Sequence, residues 1–443
     1  MTILRKTSRD VHIELVGTST DRSLQKRWYY LLPTIFVTYS LAYLDRANFG
    51  FGAAAGMAAT LHMTGKQISL LSSLFFLGYF AFQLPGAAFA KKVGVSRLIF
   101  VLLIAWGLLA AATGLLHTFW LLALDRVLLG VAESLIFPAM LLLLTKWFTR
   151  AERSRANTFL ILGNPVTVLW MSVMTGYLIQ AIGWQKTFVV EGLPAVLWAI
   201  VWISVVRDEP SSAPWMTPQA AASLEAEVAL EQSTVASVST ARAAFLRADV
   251  LLLAVLYFFW SLGIYGFVLW LPSIVQQGAA LSMGRTGLLS SIPYLGAVMM
   301  MGVVSYLSDK TQRREALVWP FLLAAGIALL GSFALVQKSF AAAFFCLVIG
   351  GACMYAPYGP FFAIVPERLP RNVIAEVLAL INSCGALGAF LGSYFVGILR
   401  AVTGKPQAGF LLMSLSLIVS AILVLCLPKV ASVDARTAAK VSE

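Results

Sequence analysis

Residues 39–50 read Tyr39-Ser40-Leu41-Ala42-Tyr43-Leu44-Asp45-Arg46-Ala47-Asn48-Phe49-Gly50 and place an acid beside a guanidinium within an apolar run from Tyr29 to Ala59. A run of this length spans a hydrocarbon core of about 30 Å, and residue 45 lies near its centre. A charge at that depth costs about 3 kcal/mol even on insertion scales. The pair therefore either faces a partner across a helix bundle or lines a water-filled pathway. Both interpretations indicate a route for a solute or a proton.

The composition identifies an integral membrane protein. Hydrophobic residues make up 60% of the 443 residues, charged residues 12%, and the mean hydropathy is +0.85, a balance that soluble globular proteins do not show. The net charge of +12 does not indicate nucleic acid, because the basic residues lie in short loops between apolar segments. The four cysteines lie inside apolar segments without paired spacing, which predicts neither a disulfide framework nor a metal site. We expect no cofactor.

Apolar stretches bounded by charges, Gly or Pro predict twelve membrane-spanning helices. Their ranges are 29–59, 68–90, 97–116, 118–147, 156–182, 187–206, 249–271, 286–308, 315–336, 340–364, 374–398 and 409–428. With both termini inside, twenty-four Lys and Arg residues fall on the cytoplasmic side and six on the other side. This bias follows the positive-inside rule and predicts cytoplasmic N- and C-termini.

The chain divides into two halves of nearly equal length. We predict a cytoplasmic tail (1–28), a six-helix bundle (29–206), a cytoplasmic linker (207–248), a second six-helix bundle (249–428) and a second cytoplasmic tail (429–443). The linker is predicted to contain a short surface helix at 218–231. Each half has a basic loop after an even-numbered helix, which indicates a duplicated unit. The predicted fold is all-α, with two pseudo-symmetric six-helix bundles that rock about a site at the membrane midplane.

Two of the thirty-two basic residues, Arg46 and Arg126, fall well inside the predicted spans. In the fourth span, Arg126 and Glu133 are seven residues apart and share one helix face, about 10 Å apart along the axis. Because a guanidinium offers two parallel donors to a carboxylate and stays charged, two arginines predict an anionic substrate. A carboxylate beside them can carry a proton. Asp45 and Glu133 are therefore the candidate proton-coupling residues.

The same residues admit a purely structural interpretation. Asp45 could pair with Arg126, or Arg46 with Glu133, and either pair would fix the first helix against the fourth. Small-residue packing is sufficient to hold helices together in lipid, which argues against this interpretation. Asp125 lies about 100° around the helix from Arg126 and is interpreted as its structural partner.

Further polar side chains lie at mid-span depth and are candidates for the substrate site. They are Tyr79, Gln83, Asn164, Tyr265, Tyr294, Tyr355, Tyr358 and Asn382. A single tyrosine can serve packing or ligand binding, whereas a buried amide must find hydrogen-bond partners, which hydroxyl-rich solutes supply. Helix breakers on the fifth and tenth spans indicate backbone that lines a cavity. Besides the two arginines, we assign to the substrate site Tyr79, Asn164, Tyr265, Tyr355 and Asn382.

Four segments resemble one known family. They are Tyr43-Leu44-Asp45-Arg46-Ala47-Asn48, residues 147–156, Tyr355-Ala356-Pro357-Tyr358-Gly359-Pro360 and Leu380-Ile381-Asn382-Ser383. These segments are similar to the anion:cation symporter family of the major facilitator superfamily. The similarity covers most of the chain outside the termini and the central linker. Residues 153–170 further resemble bacterial transporters assigned to 2-ketogluconate, a sugar acid.

The resemblance implies proton-driven uptake of organic anions across the bacterial inner membrane. The residues that match substrate-site positions of the family are Arg46, Arg126, Tyr79, Asn164 and Asn382, and those that match proton-coupling positions are Asp45 and Glu133. The superfamily's loop motif after the second helix carries an acid four residues after a glycine. In this chain, the position four residues after Gly86 is occupied by Ala90 instead of an acid. The second copy keeps Asp309, and we assign Asp309 and Arg313 to a cytoplasmic gate.

We therefore expect a proton-coupled symporter of a sugar acid or a related hydroxylated carboxylate, acting as a monomer. Symport of an aromatic or dicarboxylic acid of the tartrate, phthalate or hydroxyphenylacetate type remains an alternative, and so does sodium in place of the proton. A drug/proton antiporter is disfavoured, because two intramembrane arginines suit anions. A sensor would need an output module that neither the linker nor the tails provide. An enzyme would need a nucleophile–base pair or a metal cluster, which the sequence does not show.

Overall fold

The computed structural model describes residues 8–233, 244–279, 281–311, 313–368, 373–405 and 408–428; the predicted tail 429–443 lies outside them. The regular elements of these ranges are α-helices and the two 3₁₀ turns Pro210–Ser212 and Glu315–Leu317. The helices are α1 Ser8–Ala54, α2 Met57–Thr60, α3 Gly65–Val93, α4 Val95–Thr113, α5 Phe119–Ser134, α6 Ile136–Trp147, α7 Arg150–Val205, α8 Pro218–Ser233, α9 Ala248–Ala279, α10 Met283–Thr311, α11 Trp319–Leu335, α12 Phe340–Tyr355, α13 Tyr358–Arg368, α14 Ile374–Thr403 and α15 Gly409–Leu425.

Eight helical stretches of the described chain are long and apolar enough to cross a membrane. One of them, Phe159–Val205, has 47 residues and measures about 70 Å, which is sufficient for two crossings. Its helix, α7, breaks at Gly183, where φ is 81° and ψ is 161°. Glycine adopts this positive φ without the steric cost that other residues meet. α7 therefore contains the predicted fifth and sixth spans, and its break lies between them.

Two further predicted spans are each divided into two helices. The fourth consists of α5 and α6, and the tenth consists of α12 and α13. The first predicted span, 29–59, begins in α1 and ends in the short α2. The remaining predicted spans correspond to α3, α4, α9, α10, α11, α14 and α15. The described helices thus account for all twelve predicted spans. The domain boundaries that were drawn from these spans stay a prediction.

Close backbone packing positions the helices of the first half. α3 and α5 approach so closely that a Cβ at Gly130 would lie 1.9 Å from the carbonyl oxygen of Phe75, and one at Gly78 would lie 2.3 Å from that of Val127. Small residues permit this approach in lipid, where van der Waals packing holds helices together. As a result, the buried charges of α5 lie beside the aromatic side chains of α3.

The two halves touch through similar contacts in the outer halves of the predicted spans. A Cβ at Gly50 of α1 would lie 2.4 Å from the carbonyl oxygen of Leu269 of α9. A Cβ at Gly287 of α10 would lie 2.2 Å from the carbonyl oxygen of Ser172 of α7. At these two positions the helix backbones therefore touch without space for a water molecule between them. We call these two contacts the outer seal.

The predicted linker, 207–248, contains α8, which agrees with the short surface helix predicted at 218–231. The indole of Trp215, just before α8, stacks on the rings of Tyr30 and Trp147, at centroid distances of 5.5 and 5.1 Å. Both of these rings belong to the predicted cytoplasmic end of the first half. The first part of the linker is therefore packed onto that half.

Gly130→Ala should destabilise the first half, because the added methyl group would meet the backbone of α3 rather than a movable side chain. Overpacking of this kind costs about 1–3 kcal/mol, so we expect a lower melting temperature of the purified protein in detergent. Gly302→Ala is the matched control, since nothing lies within 4 Å of its Cβ position and alanine is the better helix former. Equal melting temperatures of the two variants would contradict the close packing of α3 on α5.

Candidate substrate and proton site

A cavity lies between the two halves, on the predicted cytoplasmic side of the outer seal, with walls from α1, α3, α6, α7, α9, α13 and α14. The space between its walls, including its open mouth, measures about 510 Å³. Its polar lining comes from both halves and consists of Arg46, Tyr79, Asn164, Ser261, Tyr265 and Asn382. Five of the seven residues that the sequence assigned to the substrate site thus line one cavity.

Arg46 supplies the positive charge of this lining. Its Nη2 donates to Glu133 Oε2 at 2.9 Å, and its Nη1 donates to Tyr265 Oη of the opposite half at 3.4 Å. The guanidinium carbon lies 4.9 Å from the centroid of the Tyr79 ring. Three neighbours on three helices therefore fix the orientation of the guanidinium, and it remains 5% exposed at the cavity wall.

Arg126 lies behind the cavity rather than in its lining. It is 1% exposed, and its guanidinium carbon lies 4.6 Å from the ring centroid of Phe49 and 5.3 Å from that of Phe75. The guanidinium carbon of Arg46 lies 5.2 Å from the same Phe75 ring. The two predicted anion-binding residues thus share an aromatic neighbour, but of the two, Arg46 reaches the cavity. A substrate role for Arg126 stays a prediction.

The two predicted proton-coupling acids are both deeply buried, Asp45 at 2% and Glu133 at 1% exposure. Glu133 is ion-paired with Arg46, which is one of the two pairs that the structural interpretation allowed. The other pair, Asp45 with Arg126, does not form in the described part of the chain. Asp45 Oδ1 and Glu133 Oε1 are buried and lack a hydrogen-bond partner among the described residues. Each acid therefore keeps an oxygen on which a proton can reside.

The remaining predicted residues fall outside the cavity lining. Tyr355 is 1% exposed and packs against Tyr294 and Tyr358, with 5.8 Å between ring centroids in each case. Arg313 is exposed beyond the end of α10. Asp309 lies in the last turn of α10, but its side chain is outside the described part of the structure. The cytoplasmic gate therefore stays a prediction.

Two sets of residues near the site were not assigned to it from the sequence. The first set forms the aromatic walls of the cavity and consists of Tyr39, Phe76, Phe137, Tyr257, Tyr358 and Phe362. Of these, Tyr358 was a mid-span candidate that was not assigned to the site. Sequence patterns do not separate such rings from ordinary core packing. The second is Glu191, which is 3% exposed in α7. It was detectable, because an acid within an apolar span is the same signal that identified Glu133.

Comparison with known proteins supplies the family. The chain matches the Major Facilitator Superfamily over residues 35–393, and it therefore belongs to that superfamily. A bacterial homolog of the human lysosomal transporter Spinster has a similar crystal structure, with a TM-score of 0.70 at 18% identity, over 90% of this chain and 95% of that chain. The protein is thus a multi-pass membrane transporter and not an enzyme, and the predicted two-bundle fold is confirmed.

Three bacterial relatives align with most of the chain. A quinolone resistance transporter of Acinetobacter baumannii is 31% identical, over 89% of this chain and 92% of the relative. A putative tartrate transporter of Agrobacterium vitis is 30% identical, over 94% of each chain. The putative metabolite transport protein NicT of Pseudomonas putida is 27% identical, over 93% of this chain and 96% of the relative. The chain is thus similar over nearly its whole length to transporters that carry different names.

Arg46→Lys should weaken the binding of an anionic substrate while the protein stays folded. Lysine keeps the charge but offers neither two parallel N–H donors nor a flat face for the Tyr79 ring. Loss of one charge-assisted hydrogen bond costs about 2–3 kcal/mol, which corresponds to a factor of about 30 to 150 in Kd.

The measurement is calorimetric titration of the purified variant with the substrate acid. Arg400→Lys is the control, because its guanidinium also lies over an aromatic ring, that of Trp270 at 4.5 Å, but near the predicted outer surface. An unchanged Kd of Arg46→Lys would remove Arg46 from the anion site.

Proposed function

We propose that this protein takes up an organic anion together with a proton, by alternating access across the bacterial inner membrane, as a member of the anion:cation symporter family. The proposed substrate is a sugar acid such as 2-ketogluconate or a related hydroxylated carboxylate. The observation that carries the proposal is the position of Arg46, a buried guanidinium that lines the cavity and contacts both halves. The name of the Agrobacterium vitis relative, a putative tartrate transporter, supports an organic acid.

Amides on opposite walls suit the hydroxyl groups of such a substrate. Asn164 lines the cavity from the first half and Asn382 lines it from the second. Asn164 Oδ1 is buried without a hydrogen-bond partner among the described residues, and an unmet acceptor of this kind costs about 1–3 kcal/mol. A hydroxylated substrate removes that cost by donating to the amide oxygen. Arg46 then binds the carboxylate while the asparagines bind the remainder of the molecule.

Glu133 and the substrate carboxylate compete for the same guanidinium. When Glu133 is ionised, it occupies Nη2 of Arg46. A proton on Glu133 removes the negative charge and leaves Arg46 free for the carboxylate of the substrate. Proton and substrate then favour each other's binding, because coupling between two sites is reciprocal. This sign of coupling supports symport, whereas an antiporter needs the proton and the substrate to exclude each other.

An aromatic acid of the phthalate or hydroxyphenylacetate type is the second candidate substrate. The observation that favours it is the set of aromatic walls, in which, for example, the ring of Phe76 lies 4.6 Å from that of Tyr265. Such walls bind an aromatic ring through offset or edge-on contacts.

The third candidate is a drug/proton antiporter, the activity suggested by the name of the Acinetobacter baumannii relative. The buried cation of the site, Arg46, disfavours it.

Uptake into proteoliposomes distinguishes these candidates. We expect an inward proton gradient to drive accumulation of labelled 2-ketogluconate, with tartrate, phthalate and hydroxyphenylacetate as weaker competitors. Protein-free liposomes and Arg46→Lys proteoliposomes are the controls. Preferred accumulation of hydroxyphenylacetate would select the second candidate. Proton-driven efflux of a quinolone, without uptake of any acid, would overturn the proposal in favour of drug antiport.

Glu133→Gln should uncouple transport from the proton gradient, because glutamine resembles the protonated acid. We expect counterflow exchange of substrate to continue while gradient-driven accumulation fails. Asp45→Asn should show the same pattern less cleanly, because Asp45 adjoins Arg46 and its loss disturbs that guanidinium. Melting temperatures are measured in parallel. Removal of one partner from a purely structural buried pair costs about 3–5 kcal/mol, so a sharply lower melting temperature with loss of both activities would contradict the proton role.

A further inference from the structure

Glu191 is a buried acid that the proposed function does not use. It lies in the second membrane crossing of α7, about 6 Å below the predicted outer end of the sixth span at residue 187. Its Oε1 accepts a hydrogen bond from Thr175 Oγ1 of the first crossing, and its Oε2 accepts one from Asn48 Nδ2 of α1 at 3.2 Å. In the described part of the chain, no Lys or Arg forms an ion pair with this carboxylate.

Among the described residues, the predicted spans of the first half bury more acids than bases. The acids are Asp45, Asp125, Glu133 and Glu191, the bases are Arg46 and Arg126, and each is at most 5% exposed. If all six groups were ionised, the interior of this half would carry two uncompensated negative charges. Each uncompensated ion costs several kcal/mol in a membrane interior. Charge compensation therefore calls for two protons among the four acids.

The contacts of the four acids distinguish Glu191 from the other three. Glu133 is paired with Arg46 at 2.9 Å. Asp45, Asp125 and Glu191 form no ion pair with a described cation, but Asp45 and Asp125 each adjoin an arginine in sequence. Glu191 has neither an ion pair with a described cation nor an adjoining arginine. A proton is therefore most favourable on Glu191.

Asn48 provides an independent observation that bears on proton exchange at Glu191. Its Oδ1 is buried, at 1% exposure of the residue, and has no hydrogen-bond partner among the described residues. The two sides of an amide exchange donor and acceptor when the group turns over. An ionised Glu191 offers acceptors only and uses the amide nitrogen, whereas a protonated Glu191 donates to the amide oxygen. Asn48 can therefore satisfy Glu191 in both protonation states.

Helices α1, α4 and α7 contribute the groups that surround Glu191. α4 packs against the neighbouring Gly192 through Gly107, and the first crossing of α7 supplies the Thr175 hydroxyl described above. From α1, Asp45 acts on Glu191 by charge repulsion and lies one helical turn before Asn48 on the same helix face. The two carboxylates thus disfavour being ionised at the same time.

We propose that Glu191 is a third proton-binding carboxylate of the transport cycle, loaded from the outer side and separate from the Glu133–Arg46 pair. In the binding step, a proton from the outer water adds to the carboxylate and gives the carboxylic acid, and the same proton is later released to the cytoplasm. This inference rests on the proposed symport and extends it. A cycle that moves protons on both Glu133 and Glu191 carries at least two protons per anion, and with a monovalent anion it moves net positive charge inward.

Glu191→Gln tests the transport part of this proposal. Glutamine keeps an acceptor oxygen and supplies the N–H that the acid would supply, so the variant should fold. Each coupled proton raises the limiting accumulation ratio about tenfold per pH unit of gradient. We therefore expect the ratio to fall about tenfold per pH unit while counterflow is unchanged. An inside-negative membrane potential should stimulate uptake by the wild type but not by the variant.

Thr175→Val is the matched control, because it removes a hydrogen bond to the same carboxylate but keeps the carboxylate. We expect it to retain both the accumulation ratio and the response to membrane potential. An unchanged accumulation ratio of Glu191→Gln would show that Glu191 only ties three helix segments together and would overturn the proposal. Loss of sodium-driven rather than proton-driven accumulation would assign the site to Na⁺ and overturn it as well.

Infrared difference titration of the purified protein provides a readout that does not depend on transport. We expect a carbonyl stretching band of a protonated carboxylic acid to disappear in Glu191→Gln and only to shift in Thr175→Val. If the wild type accumulates no organic anion, the proposed function fails, but this band still decides whether Glu191 binds a proton. Identical bands in the wild type and Glu191→Gln would overturn the proposal.

Discussion

A permanent cation inside a membrane needs a negative partner, and Arg46 obtains one from Glu133. This ion pair joins α1 to α5, and it depends on the glycine contact that brings α5 against α3. The ring of Tyr79 on α3 lies against the guanidinium and helps to fix its orientation. The arrangement of the first half thus follows from one constraint. The charge of Arg46 has to be compensated, and the compensating group has to be removable if an anion is to bind.

The two halves contribute different chemistry to the cavity. The first half holds the buried charges, whereas the second supplies hydroxyl, amide and aromatic groups such as Tyr265, Asn382 and Tyr257. The hydrogen bond from Arg46 to Tyr265 crosses between the halves. Under the proposed function, a substrate bound to Arg46 lies in a cavity that both halves line, and contacts with both would let it bias their relative position. The outer seal at Gly50 lies on the same helix as Arg46, so α1 connects the cavity to the contact that closes it.

Span positions and the charged part of the site could be predicted from the sequence because a bilayer penalises polar groups severely, and each exception is then visible. This reasoning identified Arg46 and Glu133, and it applied equally to Glu191, which was overlooked. The orientation of Arg126 behind Phe75 could not be predicted, because hydropathy does not fix the rotation of a helix about its axis. The aromatic walls were also hidden, since apolar side chains face both lipid and protein in a membrane bundle. The packing of Trp215 on Tyr30 depends on tertiary contacts that local patterns do not contain.

The Arg46–Glu133 pair also bears on how the proposed symporter avoids leaking protons. With Glu133 ionised and no substrate bound, the pair is internally neutral, so it adds no net charge to the interior of the empty carrier. A proton on Glu133 without substrate would leave Arg46 as an unpaired buried cation, which costs about 3–5 kcal/mol. That cost opposes protonation of Glu133 in the empty carrier. An anion on Arg46 removes this penalty, because its carboxylate replaces the one that the proton has neutralised. Coupling then follows from charge compensation at a single guanidinium, and it needs no direct contact between the proton and the substrate.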